Sequence, residues 1–248
     1  MKSQFLFRCP VVLAACMALA TVVNAQVIPP TQTIQGLTYG DWSAKWAQFA
    51  YGIPADRNPL MLDEPRYDCT VGQSGNVWFL TGRLGAHPGY LTRYCTMPSG
   101  KYLFFPIVDY TNDNFVVVDK AVGPFTVKSL DWTDYSTDDL RKAIKDGMDT
   151  VTQMQCSIDG VTVDLGSTSA TGSRYRVQSP VFHYWVPINN IFDIPVPIYP
   201  GTVGIPGVVA DGVYLMLAPL SKGTHTIYYQ ASIPPNQLFE FMYYVTVQ

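Results

Sequence analysis

Between Asp109 and Asn114 the chain reads Asp-Tyr-Thr-Asn-Asp-Asn. Closely spaced oxygens of this kind are donors that Ca²⁺ accepts, although the run lacks a recognised calcium-loop spacing. Asp and Asn are also the ordinary residues of turns, so a turn is the preferred reading and Ca²⁺ the alternative; no other cofactor is expected. Only two glutamates, Glu64 and Glu240, occur in the chain, so a glycosidase built on it must draw its paired carboxylates from aspartates. His183, Tyr184 and Trp185 are consecutive. In a strand His183 and Trp185 share one face while Tyr184 points the opposite way, and an aromatic face can stack on a sugar ring, although packing is the commoner role. His225, in Gly-Thr-His-Thr-Ile, reads as a strand histidine with satisfied hydrogen bonds or as part of a site. Asp109, Asp113, His183, Trp185 and His225 are the candidate ligand-binding residues.

Other signatures fail on spacing. Gly72-Gln73-Ser74-Gly75 lacks the second spacer of a nucleophile elbow, and none of the three histidines belongs to His-Glu-x-x-His. The stretch from Gly123 to Ser129 ends in Lys-Ser without the second glycine of a phosphate loop. The sequence therefore assigns no catalytic residue and no metal site.

The elements that must position the candidates are mostly strands. Trp42, Trp46 and Phe49 recur at helical spacing, which predicts a short amphipathic helix over 39–51 with Asp41 at its first turn and the aromatic stripe on the sheet. Prolines and glycines then make 52–76 a long ordered loop. Val77 to Leu80 and Lys101 to Phe105 read as core strands. Ser136 to Asp139 opens a second helix with Leu140, Ile144, Met148 and Val151 on its apolar face. Asp159-Gly160 marks a type I′ hairpin. Segments 174–186, 213–217, 224–230 and 238–247 are strand-like. The span from Pro187 to Pro206 holds five prolines and predicts a surface excursion that lacks ladder partners over much of its length. Residues 26–38 read as an extended arm or an edge strand, with no core expected there.

Lys2 and Arg8 precede an apolar run from Val11 to Val23, followed by Val23-Asn24-Ala25, the pattern of a cleavable export signal over residues 1–25. The run is about 13 residues, against the roughly 20 that span a bilayer, so no transmembrane segment is expected after cleavage. Leu13-Ala14-Ala15-Cys16 also resembles a lipoprotein signal, which makes lipid anchoring at Cys16 the minority alternative to a secreted or periplasmic protein. Without Lys2 and Arg8 the chain keeps 14 basic and 19 acidic residues and has no basic cluster, which argues against nucleic acid as a partner. Charged residues make up 14% of the chain and aromatics 13%, so its surface is polar and aromatic more than ionic. An oxidising compartment favours a disulfide between Cys69 and Cys95, leaving Cys156 as a buried thiol.

The segments WSAKWAQFAYGIP, NPLMLDEPRYDCTVGQSGNVWFLTG, CTMPSGKYLFFPIVD and DGVYLMLAPLSKGTHTIYY cover rather under half of the chain. On them the chain resembles a family of uncharacterised bacterial exported proteins. The resemblance implies no activity, and the family pattern commonly has Asn where this chain has Asp109.

The expected fold is mainly β: an antiparallel β-sandwich, jelly-roll or immunoglobulin-like, with two short helices, formed as a single domain over 26–248. The expected function is a non-enzymatic exported binding or surface-interaction protein for glycan or another envelope component. A secreted carbohydrate hydrolase using paired aspartates and a structural subunit of a surface assembly are the alternatives.

Overall fold

The computed structural model describes residues 26–85, 89–122, 125–235 and 237–248. The export signal and Cys16 lie outside the described residues. The first half runs β1 (Val27–Ile28), α1 (Tyr39–Gly52), β2 (Val77–Phe79), β3 (Gly89–Met97), β4 (Tyr102–Asn112), β5 (Phe115–Val122) and β6 (Phe125–Trp132). The second runs α2 (Thr137–Asp149), β7 (Thr152–Ile158), β8 (Val161–Thr162), β9 (Arg176–Gln178), β10 (Phe182–Pro187), β11 (Thr202–Leu217), β12 (Gly223–Ile233) and β13 (Gln237–Val247). The fold is mainly β with two short helices, as expected.

Sheet I has the order β1-β11-β4-β2, with β9 and β10 pairing earlier stretches of β11. Sheet II has the order β3-β13-β12-β7-β8, and β5 with β6 forms a separate hairpin. The sheets are mixed: β2 pairs parallel with β4 and β3 parallel with β13, while the remaining ladders are antiparallel.

Adjacent residues of β4 show how the layers stack, because neighbours in a strand face opposite sides. Phe104 meets Tyr39 of α1 at 5.7 Å between ring centroids, and Phe105 meets Tyr229 of β12 at 5.3 Å. Sheet I is therefore covered by α1 on one face and by sheet II on the other. The burial patterns agree with this placement. Val208 to Leu217 of β11 and Leu103 to Val108 of β4 are buried without a break, whereas β12 and β13 alternate, as one-sided strands must.

Helix α1 starts at a reciprocal capping box in which Thr38 is the N-cap. Asp41 lies in the first turn as expected, and its carboxylate accepts from the Thr38 N–H and hydroxyl. Trp42 and Trp46 are buried, and their indole N–H groups donate to Ile34 O and Leu80 O. The arm begins as an edge strand, β1 against β11, but it does contribute to the core, since Ile28 and Ile34 are buried. Gly40 packs against β9 so closely that a β-carbon would stand 2.5 Å from Gln178 O. Gly40→Ala is thus expected to push α1 off the sheet and destabilise by about 1–3 kcal/mol, read as a lower urea midpoint.

Cys69 and Cys95 are bonded across a sequence separation of 26, and Cys156 is a buried free thiol. The bridge ties the loop before β2 to β3. Chain entropy for a loop of this length gives about 3.5 kcal/mol, so the Cys69→Ala/Cys95→Ala double variant is expected to melt about 10 °C lower.

Candidate functional site

Strand β2 accompanies β4 only over Tyr102 to Phe104, and Leu80 adds one further bond to Phe104 O. The chain then swings to sheet II, where Thr81 O accepts from the hydroxyls of Tyr229 and Tyr243. Pro106 to Thr111 of β4 therefore border a cavity of about 380 Å³. Trp46 and Tyr51 of α1, Phe192 of the excursion and Tyr229, Phe239 and Phe241 of sheet II supply aromatic walls.

Asp109 opens into this cavity. An extra residue in β4 beside Val213 and Tyr214 shifts the register there, and a bulge of this kind changes which side chains face the site. The residue opposite Asp109 is Gly212, where a β-carbon would stand 2.7 Å from Asp109 Cβ. Only glycine leaves room for the carboxyl. Asp109 makes no hydrogen bond among the described residues, and burial pushes its pKa from 3.8 to about 7. Thr111, two residues on, also lines the cavity, and its hydroxyl is buried without a hydrogen bond of good geometry. Tyr51 stands beside it, and burial followed by the charge of Asp109 raises the pKa of the Tyr51 hydroxyl. The Tyr214 hydroxyl is buried beside Ser43, with its pKa raised by burial and then by Asp109. Buried polar groups are normally paired, so an unpaired carboxyl set among buried hydroxyls is the chemical signal of the site.

Asp113 belongs to the same end of β4 but is differently engaged. One oxygen accepts from the Tyr184 hydroxyl at 2.9 Å and the other from Phe115 N–H at 3.2 Å. Burial raises its pKa, and these bonds act against the rise. The remaining side chains of the Asp109–Asn114 run build a turn: Asn112 Oδ1 accepts from Asp113 N–H, and Asn114 holds Thr133 and Tyr135 O. Among the described residues no group of three or more His, Cys, Asp or Glu side chains is placed to hold a metal ion.

The other three candidates lie elsewhere. His183 and Trp185 share the outer face of β10, edge to face at 6.4 Å, while Tyr184 points inward. The Trp185 indole covers Gly204, its cross-strand neighbour, and stays 55% exposed. His225 is buried in a clamp: Nδ1 meets Asp159 Oδ2 at 2.7 Å, and Nε2 meets Ser221 O at 3.0 Å and Ser221 Oγ at 3.3 Å. The order Asp-His-Ser is that of a hydrolytic triad, but the nearer partner of Nε2 is a backbone carbonyl, so the ring ties the β11–β12 turn to the β7–β8 turn. His225 precedes Ala231, which lines the cavity, by six strand residues, or about 20 Å. The structure brings Asp109 and Asp113 to one end of β4 and does not bring His225 to them. Tyr51, Thr111 and Tyr214 were missed, although the i, i+2 relation of Asp109 and Thr111 in a strand marks a shared face.

No family model and no curated protein matches the chain. A chain from the solved structure titled "Structure of PbICP-C in complex with falcipain-2" is similar at 12% identity, covering 70% of this chain and 100% of its own length, with a TM-score of 0.24. A likeness that remote carries no functional argument.

Proposed function

We propose that this chain is an exported binding protein that takes a small, largely apolar molecule into the cavity beside Asp109. The carrying observation is an aromatic-walled cavity into which an unpaired carboxyl opens beside the Thr111 hydroxyl. Ligand pockets combine these features: apolar walls and a few polar groups that fix orientation. Export is supported by the leader pattern and by the disulfide, a bond that persists in oxidising compartments. No helix among the described residues is long and apolar enough to cross a membrane. Binding is preferred to hydrolysis by paired aspartates because both oxygens of Asp113 already hold protein groups.

Ala231 is 1% exposed on β12 and lines the cavity, so Ala231→Phe fills it. In a ligand-observed NMR screen of small aromatic fragments, wild type should give hits that this variant loses while keeping its circular dichroism spectrum. Hits retained at equal strength in a folded variant would refute the cavity as the site.

A second reading, contact with glycan or an envelope component, is favoured by the exposed Trp185 and by Ile198 and Tyr199, each 92% exposed in the excursion. Trp185→Ala should then abolish cosedimentation with cell-wall polysaccharide; undiminished cosedimentation would count against it.

A further inference from the structure

We propose that the molecule taken into the Asp109 cavity is a cation: a small primary or secondary organic ammonium with an apolar, preferably aromatic, body. The proposal rests on the cavity being a binding site and names the class of ligand it selects.

Three properties of the cavity carry it. First, the polar groups that reach it can accept hydrogen bonds. The Asp109 carboxylate has no donor, and the Thr111 hydroxyl, which meets that of Tyr51, keeps a lone pair that can accept. An ammonium brings two or three N–H donors and a charge-assisted bond to the carboxylate. A hydrocarbon would leave the carboxylate unpaired, and an anion would be repelled. Second, the walls are rich in aromatic rings, with Tyr51, Phe192 and Tyr229 reaching the cavity from three different elements, and a desolvated cation is attracted to such rings. Third, the local charge is uncompensated. Arg83 also lines the cavity but is ion-paired with Asp63. On β11, Asp211 is matched by Arg176, and the lining residues of β12 and β13 carry no charge. Tyr51 and Tyr214 stay neutral at physiological pH, since burial moves both pKa values upward. Asp113, the remaining neighbour, is held by Tyr184 and Phe115. A metal ion fits poorly in the same place, because Ca²⁺ needs six to eight oxygens.

Ionisation of Asp109 should couple to binding. Burial pushes its carboxyl up to about 7, so a bound ammonium displaces the proton and affinity rises between pH 5.5 and 8. The amine itself stays charged over that range.

The test uses the full mature chain and three probes of one shape: 2-phenylethylammonium, 2-phenylethanol and phenylacetate, titrated calorimetrically at pH 5.5 and pH 8. At pH 8 the ammonium should bind at least about tenfold more tightly than the alcohol, and phenylacetate should be weakest. Asp109→Asn should erase the preference while leaving the alcohol within about threefold. Thr111→Val, which keeps the shape and removes the acceptor, should weaken the ammonium selectively and guards against a fold defect in the first variant. Equal or tighter binding of the alcohol by wild type overturns the cationic class and leaves the cavity reading standing. Absence of binding by all three probes, with no amide shift change around Ala231 and Asp109 at saturating probe, overturns both.

Discussion

Replacing Arg176 with methionine is expected to remove about 3–5 kcal/mol of folding stability at pH 7, the penalty for leaving a buried charge without its partner. Asp211 lies in β11 with no solvent exposure, and the Arg176 guanidinium grips it through Nε and one terminal nitrogen, both at 2.9 Å. Gln178 adds a bond at 3.1 Å, the single donor that would remain. The same guanidinium reaches Asp149 at the end of α2, so one side chain joins β9, β11 and the second helix. Methionine preserves the length and apolar stem and deletes the fork. Urea denaturation should show a lower midpoint with an unchanged slope, and Arg176→Met/Asp211→Leu should recover much of the loss because no charge is then stranded. A single-variant loss below about 1 kcal/mol would mean that Asp211 is far better solvated than its position indicates.

Asp109→Asn should stabilise the protein, and only at neutral and alkaline pH. The folded carboxyl titrates at about 7 against 3.8 ordinarily, so between these values the folded state holds more protons than the unfolded state. Wild-type stability accordingly falls as pH rises from about 4 to about 7 and levels off beyond, by up to about 4 kcal/mol at 1.36 kcal/mol per pH unit. Asparagine has no such proton to lose. The variant and wild type should have nearly equal urea midpoints at pH 4 and diverge by pH 8, with the variant ahead. A gap of constant size across that range would refute the shifted titration.

Local sequence signals fixed the elements whose partners are close in the chain. Ser136 with Asp139 opens α2 as read, and Asp159-Gly160, both at positive φ, turns the hairpin between β7 and β8. Pairings set by distant residues were less legible. Strand β3 joins sheet II beside β13, about 150 residues later, through a parallel ladder that no turn announces. β11 begins at Thr202, inside the proline-rich span, because β10 supplies the partner for its first half. The β5–β6 hairpin was not recognised, although valine-rich alternation on both sides of Gly123 carries its signal. The site follows the same division. Asp109 stood out by residue type, but the glycine that makes room for it, the bulge beside it and the tyrosines around it come from β11 and α1. Composition cannot express that convergence.

Cys156 gives the molecule an internal clock. Its thiol is fully buried on β7, between β12 and β8, and burial pushes its pKa upward, so neither contact with reagent nor a thiolate is available while sheet II is closed. Every modification by an external disulfide or maleimide must then wait for an opening that separates those strands. The labelling rate becomes a direct count of such openings, and its dependence on denaturant separates local fraying from global unfolding. The same gating guards the Cys69–Cys95 bridge: a further thiol invites exchange with it, and the rate of opening sets how long the correct pairing lasts.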